Sequence, residues 1–109
     1  MVAFNRLLTG RLSQASTSRV VSDSVAVAAS DLNNEIVYNS AADGVLTLPA
    51  GNGLGATEDD VVLVYQQNTG KPSFAWTGGT IKSPVGLPES VQDGYIAVKW
   101  SPLGEWVRV

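Results

Sequence analysis

The chain has 109 residues, 44% hydrophobic and 16% charged, a length and balance suited to one small domain with a real core rather than to a disordered chain. It holds no cysteine and no histidine, which removes disulfides, thiolate or imidazole metal ligands and the commonest general base. A net charge of −3 and a pI near 4.6 argue against nucleic-acid binding, and no apolar run approaches the roughly 18 residues of a membrane helix.

Residues 1–24 differ from the remainder of the chain. Arg6, Arg11 and Arg19 face only Asp23, so this stretch carries +2 while the rest carries −5. Ser and Thr dominate from Thr9 to Ser24, and the bulky apolar residues are Phe4, Leu7, Leu8 and Leu12. A short amphipathic helix is conceivable on the Phe4, Leu8, Leu12 spacing, but Gly10 costs about 1 kcal/mol in its interior. An extended arm fits better. Fully extended it reaches on the order of 80 Å, enough to cross a neighbouring subunit. Arg6 and Arg11 interrupt any signal-peptide apolar region, so the expectation is a protein made and used without export. The chain thus divides into an extended, partner-docking arm at 1–24 and a β domain at 25–109. Phe4, Arg6, Leu7, Leu8, Arg11, Leu12 and Arg19 are the candidate partner contacts.

From Val25 the pattern is that of strands. VAVAA is a short apolar run, and Ser30–Asn34 is turn material. EIVYN at 35–39 is β-branched and aromatic. VLTLP at 45–49 alternates, with Leu46 and Leu48 on one face. VVLVYQ at 61–66 is apolar on both faces, the mark of a central strand. Asn68-Thr69-Gly70 reads as a hairpin turn with Gly70 at positive φ, returning through SFAW at 73–76. Gly78-Gly79 turns into TIK, and Pro84 and Pro88 make 83–90 irregular. YIAVKW at 95–100 alternates cleanly, Pro102–Gly104 turns, and EWVRV closes the chain. Seven or eight short strands with turns about every ten residues and no normal helix predict an all-β domain, a small antiparallel β-sandwich or barrel carrying the arm. No convincing internal repeat is visible.

Catalytic chemistry finds no constellation here. AGNGLGATEDD matches G-x-G-x-x-A at Gly51, Gly53 and Ala56, but only four residues separate Ala56 from the next strand, leaving no helix to receive a pyrophosphate. Glu58, Asp59 and Asp60 would also repel one. With Asn52 they could hold Ca²⁺, yet the spacing fits no EF-hand loop, and a solvated acidic loop is the better reading. Lys82 and Ser83 are adjacent and point apart on a strand. Glu35, Glu58, Glu89 and Glu105 sit at strand ends or in loops, where solvated acids belong. The expectation is a non-enzyme with no cofactor and no metal. Tyr65, Phe74, Trp76, Tyr95, Trp100 and Trp106 could form a sugar-stacking row, but Phe74, Trp76 and Trp100 alternate in phase with aliphatic positions. Core or subunit interface is the better reading, with Tyr65, Phe74, Trp76, Trp100 and Trp106 the candidates.

With those residues in hand, a resemblance emerges. DLNNEIVYNSAADGVLTLP, the glycine loop, VVLVYQQNTGKPSFAWTGGTIKSPVG, YIAVKW and EWVRV resemble a β-domain of tailed-bacteriophage virion proteins. The matching elements are Asp31, Thr47-Leu48-Pro49, Gln66 to Gly70, Gly78 to Ser83, and Trp106, over about 80 residues from Asp31 to the C-terminus. The resemblance implies a virion structural protein that assembles as a homotrimer and does no chemistry. A chain of one such domain plus an arm looks most like a capsid decoration (cement) protein, made in the host cytoplasm and located on the capsid surface. Its implied partner is the major capsid protein, with neither nucleic acid nor membrane. A tail or head fibre or spike component is the alternative within that class, and a carbohydrate-binding module for host-surface glycans the alternative outside it.

Overall fold

The computed structural model describes residues 18–84 and 87–109; the candidate contacts Phe4, Arg6, Leu7, Leu8, Arg11 and Leu12 lie outside them. Among the described residues, eight strands form two sheets. In chain order they are β1 (Arg19–Val21), β2 (Val25–Ala26), β3 (Glu35–Tyr38), β4 (Gly44–Leu48), β5 (Val61–Gln66), β6 (Pro72–Trp76), β7 (Tyr95–Trp100) and β8 (Trp106–Arg108). The larger sheet has the order β1-β3-β5-β7-β8 and the smaller β2-β4-β6.

The expected strands are present, but the expected antiparallel arrangement is not. β1, β3 and β5 pair in parallel, as do β2, β4 and β6; of these strands only β5–β7 and β7–β8 pair antiparallel. From β1 to β7 the chain alternates between sheets, so each pass lays one strand in each and advances both by one position. Three such passes make a short parallel coil, closed in the larger sheet by the β7–β8 hairpin. Side-chain alternation could not reveal this, because it reports which face is buried and is the same for either pairing direction. The one local hint is Val61–Val64, four consecutive buried residues as in a central parallel strand. β1 is a strand that sequence reading did not register. It lies inside the 1–24 stretch, three residues long among serines, and pairs with Ile36–Tyr38.

The second and third passes of the coil stack at one fixed offset. Glu35 pairs with Leu63 in one sheet and Gly44 with Pro72 in the other, a separation of 28 residues in both. The corners 39–43 and 67–71 therefore stack. Gly70 N–H donates to the Ser40 carbonyl, Gln67 N–H to Tyr38, Gly44 N–H to Lys71, and Lys71 N–H to Asp43 Oδ1. Residues 68–70 are thus a corner between sheets rather than a hairpin turn. Gly70 is not at positive φ. What it supplies is space, since a Cβ there would lie 2.2 Å from the Ala42 carbonyl oxygen and 2.5 Å from that of Ser40. The repeat escaped the sequence because stacking demands backbone geometry, and EIVYNSAADGVLTL and LVYQQNTGKPSFAW share that geometry without sharing residues.

Inward side chains of both sheets meet in one cluster containing Ile36, Tyr38, Leu46, Leu48, Val62, Val64, Ile96, Val98 and Trp106. The glycine loop after β4 contributes to it, inserting Leu54 and Ala56, while Asn52 clamps the loop by donating to the Ala56 carbonyl and accepting from Ala56 N–H. Asn33, at φ 58°, ties β3 to β5. Its N–H donates to the Val61 carbonyl, its Oδ1 accepts from Val61 N–H and its Nδ2 donates to Asp60.

Candidate functional site

Two features stand out from this frame. The first is the outer face of the larger sheet. Directly paired residues on neighbouring strands point to the same side of a sheet. Val20 pairs with Val37, Val37 with Tyr65 and Tyr65 with Tyr95. Their chain neighbours Ile36, Tyr38, Val64 and Ile96 belong to the core, so these four form a row facing away from it across four strands. Val20 is 64% exposed and Tyr95 40%, with Val37 and Tyr65 half-buried between them. The tyrosine rings lie 5.1 Å apart at 47°. Tyr65 Oη donates to Asp93 Oδ1 at 2.8 Å, and that bond, above all, pushes the Tyr65 pKa above its ordinary value. Leu63 and Ala97, also outside the core cluster, are buried within this face. Ser18 donates to the Glu35 carboxylate on the same side, so the chain enters the described structure where the row begins.

Arg19, one of the candidate partner contacts, is engaged within the fold. Its Nε and Nη2 donate to the buried Asp31 carboxylate, the latter at 2.8 Å, and Nη2 also reaches the Ala26 carbonyl. Asp31 in turn accepts from Ala28 N–H, which closes the 3₁₀ turn at Ala29–Asp31. The ion pair fixes the first pass of the coil at the place where the N-terminal segment joins it.

The five candidate aromatics divide. Trp106 is fully buried, and an edge-to-face series runs Trp76–Trp100–Trp106, with centroids 6.1 and 5.2 Å apart, linking β6 of the smaller sheet to β7 and β8 of the larger. Trp76 Nε1 donates to the Gly51 carbonyl, and a Cβ on Gly79 would strike the Trp76 ring, so this half-buried ring is pinned against the fold. Tyr65 alone of the five belongs to the outer row. Phe74 lies half-buried against the core and lines the second feature.

That feature follows from the unequal sheets. Among the described residues β7 and β8 have no counterpart beyond β6 in the smaller sheet, and Ile81, Ser83, Glu89 and Ser90 of the connection between β6 and β7 line the gap. A cavity of about 400 Å³ opens there, lined by Asp43, Lys71, Pro72, Ser73, Phe74, Ile81, Ser83, Glu89, Ser90, Ile96 and Arg108. Lys71 Nζ pairs with Glu89 at 3.1 Å. Arg108 Nη2 donates to the Pro88 carbonyl, and Lys82 bridges the β8 backbone on either side, donating to the Trp106 carbonyl and accepting from Arg108 N–H. Burial draws the Arg108 pKa below its ordinary value. Two buried donors on this wall, Ser90 Oγ and Arg108 Nε, have no hydrogen-bond partner among the described residues. Sequence reading missed the cavity because its polar residues come from five separated segments, joined only by the coil.

The acidic loop is put to structural use. Asp59 approaches Lys99 at 3.5 Å, and Asp60 accepts from Asn33 Nδ2 and from the amide and hydroxyl of Thr57. Burial raises the Asp60 pKa, but these hydrogen bonds outweigh it and hold the carboxyl below 3.8. Among the described residues no three acidic side chains converge as a metal site, and no helix is long and apolar enough to cross a membrane. Comparison of the chain with protein-family models, with curated proteins and with solved structures finds no match.

Proposed function

We propose that this protein is a non-enzymatic structural component of a tailed-phage virion, a capsid decoration protein that binds the assembled head as a homotrimer and stabilises contacts between capsomers. The observation that supports this reading is the outward row Val20–Val37–Tyr65–Tyr95 across four strands of the larger sheet, beginning at the strand into which the N-terminal arm leads. Apolar and aromatic side chains with polar tips, held in fixed register on a sheet, suit a protein–protein contact. The arm supplies Phe4, Leu7, Leu8 and Leu12 with Arg6 and Arg11, a set suited to an apolar or acidic capsid surface.

Mixing the purified protein with undecorated phage heads should give saturable, stoichiometric binding, weakened by deletion of residues 1–17. Light scattering should find a species of about 34 kDa, three times the 11.4 kDa chain. Replacing both Tyr65 and Tyr95 by serine should shift that species towards the monomer. A wild-type monomer that ignores heads would overturn the reading.

A further inference from the structure

The cavity between β6 and the β7–β8 hairpin has a chemistry that assembly does not use. From it we infer a second binding site, one that takes a neutral saccharide unit. A volume near 400 Å³ is in the range of small-ligand sites and would hold one or two sugar rings. Its lining includes the apolar Phe74, Pro72, Ile81 and Ile96 together with donors and acceptors of both charges. Ser90 is 3% exposed, and its hydroxyl lacks a partner among the described residues, as does the buried Arg108 Nε. Both atoms are closed off as the chain stands, and a buried polar group without a partner costs about 1–3 kcal/mol, so a ligand hydroxyl that accepts from either one, once a small side-chain shift opens it to the cavity, is favoured.

The lining selects among ligands. An apolar ligand would leave Ser90 Oγ and Arg108 Nε unpaired. A phosphate or carboxylate meets Asp43 and Glu89 on the same wall, and the lining charges of Lys71 and Arg108 are balanced by those two acids. Arg108 Nη2 already gives one of its two hydrogens to the Pro88 carbonyl, so its charge is partly engaged before an anion arrives. A pyranose matches each part. Ring or hydroxyl oxygens accept from Ser90 or from Arg108, other hydroxyls donate to Asp43 or Glu89, and a C–H face lies on Phe74, whose π-face attracts polarised hydrogens. The surface is distinct from the outer row, so the site functions whether or not the chain assembles on a capsid.

The test is a titration of the ¹⁵N-labelled full chain, followed by amide shifts. The probes are the methyl glycosides of glucose, galactose, mannose and N-acetylglucosamine, with acetate, glycine and inorganic phosphate in parallel. At least one glycoside should give saturable shifts centred on Lys71, Phe74, Ser90 and Arg108. Ser90→Ala and Phe74→Leu should each weaken it fivefold or more while keeping the dispersed spectrum of the folded chain. Phe74 touches the core, so Ser90→Ala decides the matter if the other variant unfolds. No saturable shift from any glycoside, saturation by acetate, glycine or phosphate alone, or undiminished glycoside binding by Ser90→Ala would each overturn the inference.

Discussion

Replacing Gly70 by alanine tests the stacked-corner account at its tightest point. The new methyl would sit 2.2 Å from the Ala42 carbonyl oxygen and 2.5 Å from that of Ser40, about an ångström inside ordinary van der Waals contact. Both obstacles are backbone, so no rotamer change relieves the clash; the corners 39–43 and 67–71 must separate. Overpacking of this kind costs about 1–3 kcal/mol, and losing the Gly70 N–H to Ser40 hydrogen bond adds about 1 kcal/mol. A total near 3 kcal/mol corresponds to a fall in Tm of roughly 12–24 °C for a domain of this size. Gly78→Ala is the internal control. Gly78 has φ 73°, and a methyl added there would meet nothing within 4 Å, so only left-handed backbone strain of about 1–2 kcal/mol opposes it. Thermal and urea unfolding at one fixed protein concentration should order the variants wild type, Gly78→Ala, Gly70→Ala. If Gly70→Ala proves no worse than Gly78→Ala, the corners do not stack as described.

Two other predictions concern the body of the coil. Because the folded Asp60 carboxyl lies below its ordinary 3.8, its stabilising contribution is full above about pH 5 and lost as pH falls through the folded value. The gap in urea midpoint between wild type and Asp60→Ala should therefore be flat above pH 5 and close towards pH 2; a gap that persists undiminished in acid contradicts the assignment. Trp106 is fully buried, and its Nε1 has no acceptor among the described residues. Trp106→Phe removes that unsatisfied donor along with some contact area and should stay within about 1 kcal/mol of wild type, whereas Trp106→Ala should cost about 3–5 kcal/mol. Equal damage from both changes would mean that the indole N–H is bonded after all.

Much of the fold was legible in the residues. Val61–Gln66 and Tyr95–Trp100 are strands at the expected positions, because β-branched and aromatic residues sit between strong turn formers. Trp100 was readable as a packed residue from its phase with aliphatic neighbours. The rejection of a dinucleotide loop at 51–56 also rested on local facts, four residues to the next strand and three acids, and the loop instead carries Leu54 and Ala56 into the core. β1 was not legible, since three residues, Arg19–Val21, are too few to show a period.

What the amino-acid sequence determined by itself was which short segments extend and which faces they bury, since alternation and turn chemistry are local properties. Direction and partner belong to the tertiary structure. A strand entering a corner such as 67–71 can double back beside itself or cross to the other sheet, and the residues in the corner serve either outcome. The crossing is supported by contacts 28 residues away, Glu35 with Leu63 and Gly44 with Pro72. Only with that choice made do Val20, Val37, Tyr65 and Tyr95 become one row, and Lys71, Phe74, Ser90 and Arg108 the wall of one cavity. Register between distant segments creates both surfaces, and register is a property of the folded pairing rather than of any stretch read alone.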